Sequence, residues 1–186
     1  MSGECKMAEQ ITNKDFIMGF VGLSGSGKST LAEGICDFLR KRGRSCFHID
    51  GDRLRHDLGD MFGYTYDERM KNNRVVRVLG KYLCDSHIAT MVSIIAPYEE
   101  MRQKMREFWG KRYIEVFVDC PLEICAARDV KGHYARAKSG VLHNLNGVND
   151  IFERPENSEL ILHTDEETKA ESLGKIIDYL EAHQYV

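Results

Sequence analysis

Eight residues in this chain have the types and spacing to hold a polyphosphate. Gly22-Leu-Ser-Gly-Ser-Gly-Lys28-Ser29 follows the pattern G-x-x-x-x-G-K-[ST]. Glycines let successive backbone N–H groups turn toward one point. A helix that begins at the end of the loop aims its free amides and the positive end of its dipole at the same point. Lys28 adds a full charge suited to β- and γ-phosphates, and the Ser29 hydroxyl suits Mg²⁺. Gly22, Ser24, Gly25, Ser26, Gly27, Lys28, Ser29 and Thr30 are therefore read as the nucleotide-binding set, with ATP and Mg²⁺ as the expected cofactors.

A second chemical cluster is His48-Ile-Asp50-Gly-Asp52-Arg-Leu-Arg55-His56. Two acids at i and i+2 cannot both be buried unpaired. One can hold Mg²⁺ through water and the other can take a proton from an acceptor hydroxyl. Either could instead cap a helix that starts near Arg53. Phosphoryl transfer needs positioning and charge neutralisation, so cations should line the acceptor side and any lid. Arg55, Arg69, Arg74, Arg128, Lys131, Arg136 and Lys138 are the candidates. Arg77, Arg102, Arg106 and Arg112 read as solvated surface charges.

The elements that must position these residues follow from periodicity. Phe16 to Val21 is an apolar run that ends at the glycine loop, as a buried parallel strand does. Further strands are expected at Ser45–Ile49, Ile88–Ile95, Tyr113–Val118 and Leu160–His163. Helical spacing covers Lys28–Arg42, Asp67–Asp85, Glu99–Trp109, Leu122–Arg128 and Glu166–Ala182. The alternation predicts an α/β fold: a five-stranded parallel sheet with helices on both faces and ligands at the strand C-termini. Residues 1–14 read as a flexible leader and 15–186 as a single domain. Residues 128–157 are polar, cationic and poor in apolar residues, which suggests a mobile lid.

Composition narrows the function classes. The 186 residues are 42% hydrophobic and 30% charged, with a net charge of -3. That balance gives no support to nucleic acid as a partner, and no apolar run suggests a membrane span. The six cysteines have no C-x-x-C spacing and read as reduced, packed thiols, from which a cytoplasmic location is expected. The seven histidines are scattered, without the H-E-x-x-H of a metallohydrolase. His56 and His133 read as polar or packing contacts.

Three segments together resemble the adenylylsulfate kinase family: Gly22–Thr30 (GLSGSGKST), Asp50–His56 (DGDRLRH), and Glu115–Arg128 (EVFVDCPLEICAAR), the last followed by Asp129, Lys131, Gly132 and Tyr134. The similarity runs from about Phe16 to Asp165. It implies a P-loop kinase-type three-layer sandwich that transfers the γ-phosphate of ATP to the ribose 3′-hydroxyl of adenylyl sulfate. Under the resemblance, Asp52 is the base and Lys28 serves the transferred phosphoryl. Asp50 helps Ser29 with Mg²⁺, and Arg128 packs on the ATP adenine. Arg55, Tyr64, Asn72, Arg74, Ser93, Pro97 and Lys131 fall to the nucleotide acceptor. The resemblance also implies a homodimer.

The departures from that family lie on the acceptor side. S-F-I-S-P-Y-R becomes Ser93-Ile-Ile-Ala96-Pro97-Tyr98-Glu99, and the lid's F-T-G-I-D becomes Leu145-Asn-Gly-Val-Asn149. The lost phenylalanine is expected to stack on the acceptor base opposite Tyr64, and such stacking contributes about 1–3 kcal/mol per base. Leu145 would then suit a smaller base, and a cytidine diphosphoramidate kinase of capsule biosynthesis becomes the alternative. A nucleotide-binding switch without catalysis is the alternative from another class.

Overall fold

The computed structural model describes residues 14–186; most of the expected leader lies outside these. Lys14, its last residue, donates from Nζ to the His183 carbonyl at 3.0 Å. The strands are β1 (Ile17–Val21), β2 (Cys46–Asp50), β3 (Ala89–Ser93), β4 (Tyr113–Asp119) and β5 (Leu160–His163). The helices are α1 (Lys28–Lys41), α2 (Gly51–Asp57), α3 (Tyr66–Asp85), α4 (Glu99–Trp109), α5 (Leu122–Arg128), α6 (His133–Lys138) and α7 (Lys169–Ala182). Two of these are short and polar: α6 went unread as a helix, and α2 is the helix that the capping reading placed near Arg53, begun two residues earlier. Helix α7 starts later than its periodicity suggests, because Thr168 and Glu171 form a capping box there.

All five strands run parallel in the order β2-β3-β1-β4-β5. Strand β1 is central and wholly buried. Its side chains alternate between two cores, as a period of two dictates. Phe16, Met18 and Phe20 pack with Leu31, Ile35 and Leu39 of α1 and with Ile176 and Leu180 of α7. Ile17 and Val21 pack with Val76 of α3 and with Met101, Met105 and Trp109 of α4. The result is a three-layer sandwich. Parallel connection brings all five strand C-termini to one edge, where the glycine loop, the Asp50–Asp52 pair and the lid meet.

Arg102 departs from the surface reading. It is 1% exposed, donates to the Ala96 carbonyl at 2.8 Å and pairs with Glu99 at 2.6 Å. Ala96 carries φ +46, so the buried guanidinium holds a strained turn after β3. The unusual Glu99 thus has a structural partner. Cys36, Cys84, Cys120 and Cys125 are buried and Cys46 is half-buried; all five are unbridged. Cys5 lies outside the described residues.

Candidate active site

The glycine loop leaves the C-terminal end of β1 and closes at the N-terminus of α1. Gly22 has φ +146, and a Cβ there would stand 2.5 Å from the Val118 carbonyl oxygen of β4. Gly27, the N-cap of α1, has φ +102 and a left-handed backbone. Both conformations disfavour L side chains. From the other side the Thr164 hydroxyl, just past β5, donates to the Ser26 carbonyl at 2.8 Å. The loop is therefore clamped between β4 and β5 before any ligand arrives. It opens on a cleft of about 550 Å³ lined by Ser24 to Leu31, Asp50, Asp52, Arg128 and Lys131.

Lys28 is 9% exposed and donates to the Leu23 carbonyl at 2.5 Å. Burial lowers its pKa from 10.5 to about 8, against the opposing pull of Asp52. The ammonium is thus stored on a loop carbonyl in a site short of counter-charge. Arg128 reaches across the cleft from α5 and donates to the carbonyls of Thr164 at 2.6 Å and Gly25 at 3.4 Å.

Asp50 ends β2 and caps α2. Its Oδ1 accepts from the backbone N–H groups of Asp52 and Arg53 at 3.0 and 3.1 Å. Its Oδ2 accepts from the hydroxyls of Ser29 at 2.5 Å and Ser93 at 3.2 Å. These donors hold its pKa below the usual carboxylate value despite the opposing effect of burial. The capping and metal-side readings of Asp50 are thus compatible in one carboxylate. With its proton on Asp50, Ser29 keeps its oxygen lone pairs for a cation. One hydroxyl, one carboxylate and room for phosphate and water make a donor set suited to Mg²⁺. Among the described residues no group of three His, Cys, Asp or Glu could form an all-protein cage.

Asp52 stands in the first turn of α2, exposed, and pairs with the Lys131 ammonium of the lid. It lines both the phosphate cleft and a second, smaller pocket of about 80 Å³. That second pocket brings together Arg55, Tyr64, Asn72 and Pro97 as expected, with Arg69, Asn73, Val76 and Met101. The Arg55 and Arg69 guanidinium groups lie 4.7 and 5.4 Å from the Tyr64 ring centroid. Asn73 is 2% exposed, and neither end of its amide has a protein partner. The Asn72 carbonyl oxygen is likewise unpartnered.

Four expected acceptor residues stand outside this pocket: Lys131, which borders the phosphate cleft, and Leu145, Arg74 and Ser93. Leu145 is 4% exposed and packs with Cys120, Cys125, Tyr134, Leu23 and Leu122, beneath the lid and off the acceptor pocket. It fills a small apolar cluster that local sequence could not reveal. Arg74 points outward from α3, because the buried stripe of that helix runs through Arg69, Asn72, Asn73, Val76 and Gly80. Ser93 faces Asp50 and Ser29 on the metal side. The lid cations Arg136 and Lys138 are exposed and line neither pocket. His56 is exposed, and His133 Nδ1 lies 3.3 Å from the Ser24 hydroxyl.

The lid is tied at both ends of its apolar cluster. The Tyr134 hydroxyl donates to the Ser24 carbonyl at 2.8 Å. Arg69 donates to the Asn144 carbonyl at 2.7 Å and meets Asp150 at 3.3 Å. Thr164, Glu167 and Lys169 also line the phosphate cleft. Sequence reading missed them; the turn and cap residues between β5 and α7 were their only signal.

Comparison with known proteins agrees with this geometry. Residues 14–163 match the family model described as adenylylsulphate kinase. The adenylyl-sulfate kinase of Halothermothrix orenii is 42% identical over 173 residues, 93% of each chain. That of Clostridium kluyveri is 39% identical over 176 residues, 94% of this chain and 88% of the relative. The Mycobacterium tuberculosis APS kinase, solved with AMPPNP and APS, superposes with a TM-score of 0.85 at 34% identity, covering 90% of this chain and 98% of that one. A gluconokinase from Sinorhizobium meliloti, at 20% identity and TM-score 0.56, shares the fold alone. No helix among the described residues is long and apolar enough to cross a membrane. With a phosphate loop clamped on three strands and an acid at the junction of two pockets, the chain belongs to the adenylylsulphate kinase family of ATP-dependent phosphotransferases.

Proposed function

We propose that this protein transfers the γ-phosphate of ATP to the ribose 3′-hydroxyl of adenylyl sulfate. The observation that carries the reading is the place of Asp52, on the shared wall of the phosphate cleft and the smaller pocket. A hydroxyl presented from the smaller pocket would meet Asp52 and the end of a triphosphate laid along Gly25 to Ser29. Arg55 and Arg69 supply positive charge for the anionic end of the acceptor, and Tyr64 supplies an aromatic face. The unpartnered amide atoms of Asn72 and Asn73 suit a pocket meant for a polar ligand.

Lys28 leaves the Leu23 carbonyl for the β- and γ-phosphates. Ser29 and Asp50 would hold Mg²⁺, which would neutralise phosphate charge there. Asp52 orients the acceptor hydroxyl and takes its proton, which requires Lys131 to release the carboxylate. A pocket of about 80 Å³ is too small for a nucleotide. The lid strap held by Arg69 therefore opens for the acceptor and closes over it, excluding water from the phosphoryl group. Homodimerisation is supported by the apolar surface of Leu79, Tyr82 and Phe108 on α3 and α4, exposed at 39%, 67% and 41%. Light scattering of the purified protein tests it.

The test of the reaction is ADP release with Mg²⁺·ATP and adenylyl sulfate, beside cytidine diphosphoramidate. Turnover of adenylyl sulfate is expected, and its absence would sink the reading. The cytidine reading rested on the Ser93–Glu99 and lid departures; of these, Leu145 packs away from the pocket and Glu99 pairs with Arg102. A silent switch would leave Lys28, Asp50 and Asp52 assembled without use. Asp52→Asn should lower turnover by about 10²–10⁴-fold and leave ATP binding intact.

A further inference from the structure

His48 has no part in the reaction as derived, yet it sits at the end of a hydrogen-bonded chain that reaches the metal side of the site. On β2, His48 and Asp50 are two residues apart and so share one face. The register pairs Asp50 with Ser93 of β3. That face carries α1, whose first turn holds Ser29. His48 Nε2 lies 2.7 Å from the Ser93 hydroxyl. Ser93 lies 3.2 Å from Asp50 Oδ2 and 3.3 Å from the Ser29 hydroxyl. Ser93 is 3% exposed.

The proton positions in this chain follow from its chemistry. An ionised carboxylate can only accept, and the Ser93 hydroxyl stands where it can donate to Asp50 Oδ2 at 3.2 Å. With that proton on Asp50 the Ser93 oxygen accepts, and the His48 tautomer that carries its proton on Nε2 is the one that completes the chain. In that tautomer the chain runs from His48 to Ser93 to Asp50.

We propose that His48 is a positioning residue for the metal site. Through Ser93 it locks the Asp50 carboxylate, and Asp50 in turn holds the Ser29 proton so that the serine oxygen faces the cation. Without the imidazole donor, Ser93 is free to rotate. Asp50 then loses one of its two Oδ2 anchors, and Ser29 loses its fixed orientation. The inference depends on the phosphate loop taking a metal–nucleotide complex and is independent of which acceptor the enzyme uses. Loss of an outer hydrogen-bond partner of a metal ligand commonly lowers metal affinity by about 10–100-fold.

The test is Mn²⁺ binding to the protein in the presence of a non-hydrolysable ATP analogue, followed by the electron paramagnetic resonance signal of free Mn²⁺. Three proteins are compared: wild type, His48→Leu and His48→Gln. A glutamine amide nitrogen can stand near the place of Nε2 and donate to Ser93, whereas leucine fills space only. His48→Leu should bind Mn²⁺ about tenfold more weakly, and His48→Gln should recover most of that loss. Metal-free binding of the analogue should change little. Wild-type Mn²⁺ affinity in His48→Leu would overturn the inference. Equal weakening in both variants would also overturn it, because shape and not the donor would then be responsible. If His48→Leu fails to fold, Ser93→Ala carries the same test with a smaller change: weakened Mn²⁺ binding supports the chain and unchanged binding refutes it.

Discussion

Nucleotide binding above pH 8 should draw a proton from solution, and Lys28 should be the group that takes it. Burial places its pKa at about 8 in the free protein. The ammonium is then about 90% charged at pH 7 and only about 10% charged at pH 9. Phosphate oxygens favour the charged form, and returning it to its ordinary range would require an uptake of about 0.9 proton per site at pH 9 and about 0.1 at pH 7. The shift from 10.5 to about 8 corresponds to roughly 3 kcal/mol held against the free ammonium. Affinity for the nucleotide should fall close to tenfold per pH unit above 8 and level off below. For folding the sign is opposite. Between pH 8 and 10.5 the unfolded chain binds this proton and the folded one does not, so the ligand-free protein gains stability from Lys28 as pH rises through that window. Calorimetry of a non-hydrolysable ATP analogue, in buffers of different ionisation enthalpy, reads the proton count directly. Lys28→Gln supplies the baseline for protons exchanged by the nucleotide itself. Equal uptake at pH 9 by the wild type and Lys28→Gln would refute the argument.

Other perturbations follow from the same geometry. Gly22→Ala forces a side chain onto φ +146 and the Val118 carbonyl; a loss of about 2–3 kcal/mol, or about 5–10 °C in Tm, should appear in a thermal melt. Arg102→Met leaves the Ala96 carbonyl without its donor and should cost about 1–3 kcal/mol by urea titration. Asn73→Leu removes a buried amide without a protein partner. It should raise stability by about 1 kcal/mol while raising the KM for the acceptor, and an unchanged KM would separate Asn73 from acceptor binding.

Much of the frame is local and therefore readable. The loop that follows β1, the acids that end β2 and the helix boundaries at Glu99–Trp109 and Leu122–Arg128 depend on neighbours in sequence. What sequence reading missed depends on helix faces. Arg102 looks like half of an exposed i,i+3 pair with Glu99, yet it shares a stripe with Met101, Met105 and Trp109, which carries it into the core. Asn73 stands the same way among Arg69, Asn72, Val76 and Gly80. A polar residue on an apolar stripe was the available signal for Arg102; the stripe of Asn73 is itself largely polar and offered none. Leu145 had no such signal. Its neighbours Leu23, Cys120 and Tyr134 come from the phosphate loop, the end of β4 and α6, so its burial is a product of tertiary folding.

The strand order has a kinetic consequence. Strand β1 has a partner on each side, so its amides should exchange with solvent only when the whole molecule unfolds. Strand β2 lies at the edge of the sheet, and its outer amides can open by local fraying. The phosphate loop is thus rooted in the least labile part of the protein, whereas Asp50, and Asp52 just after it, hang from an edge strand. Hydrogen exchange should separate the two halves of the site by several orders of magnitude. Changes on the β2 side can therefore re-aim Asp52, and Asp50 with it, through sub-global openings, leaving the phosphate loop in place.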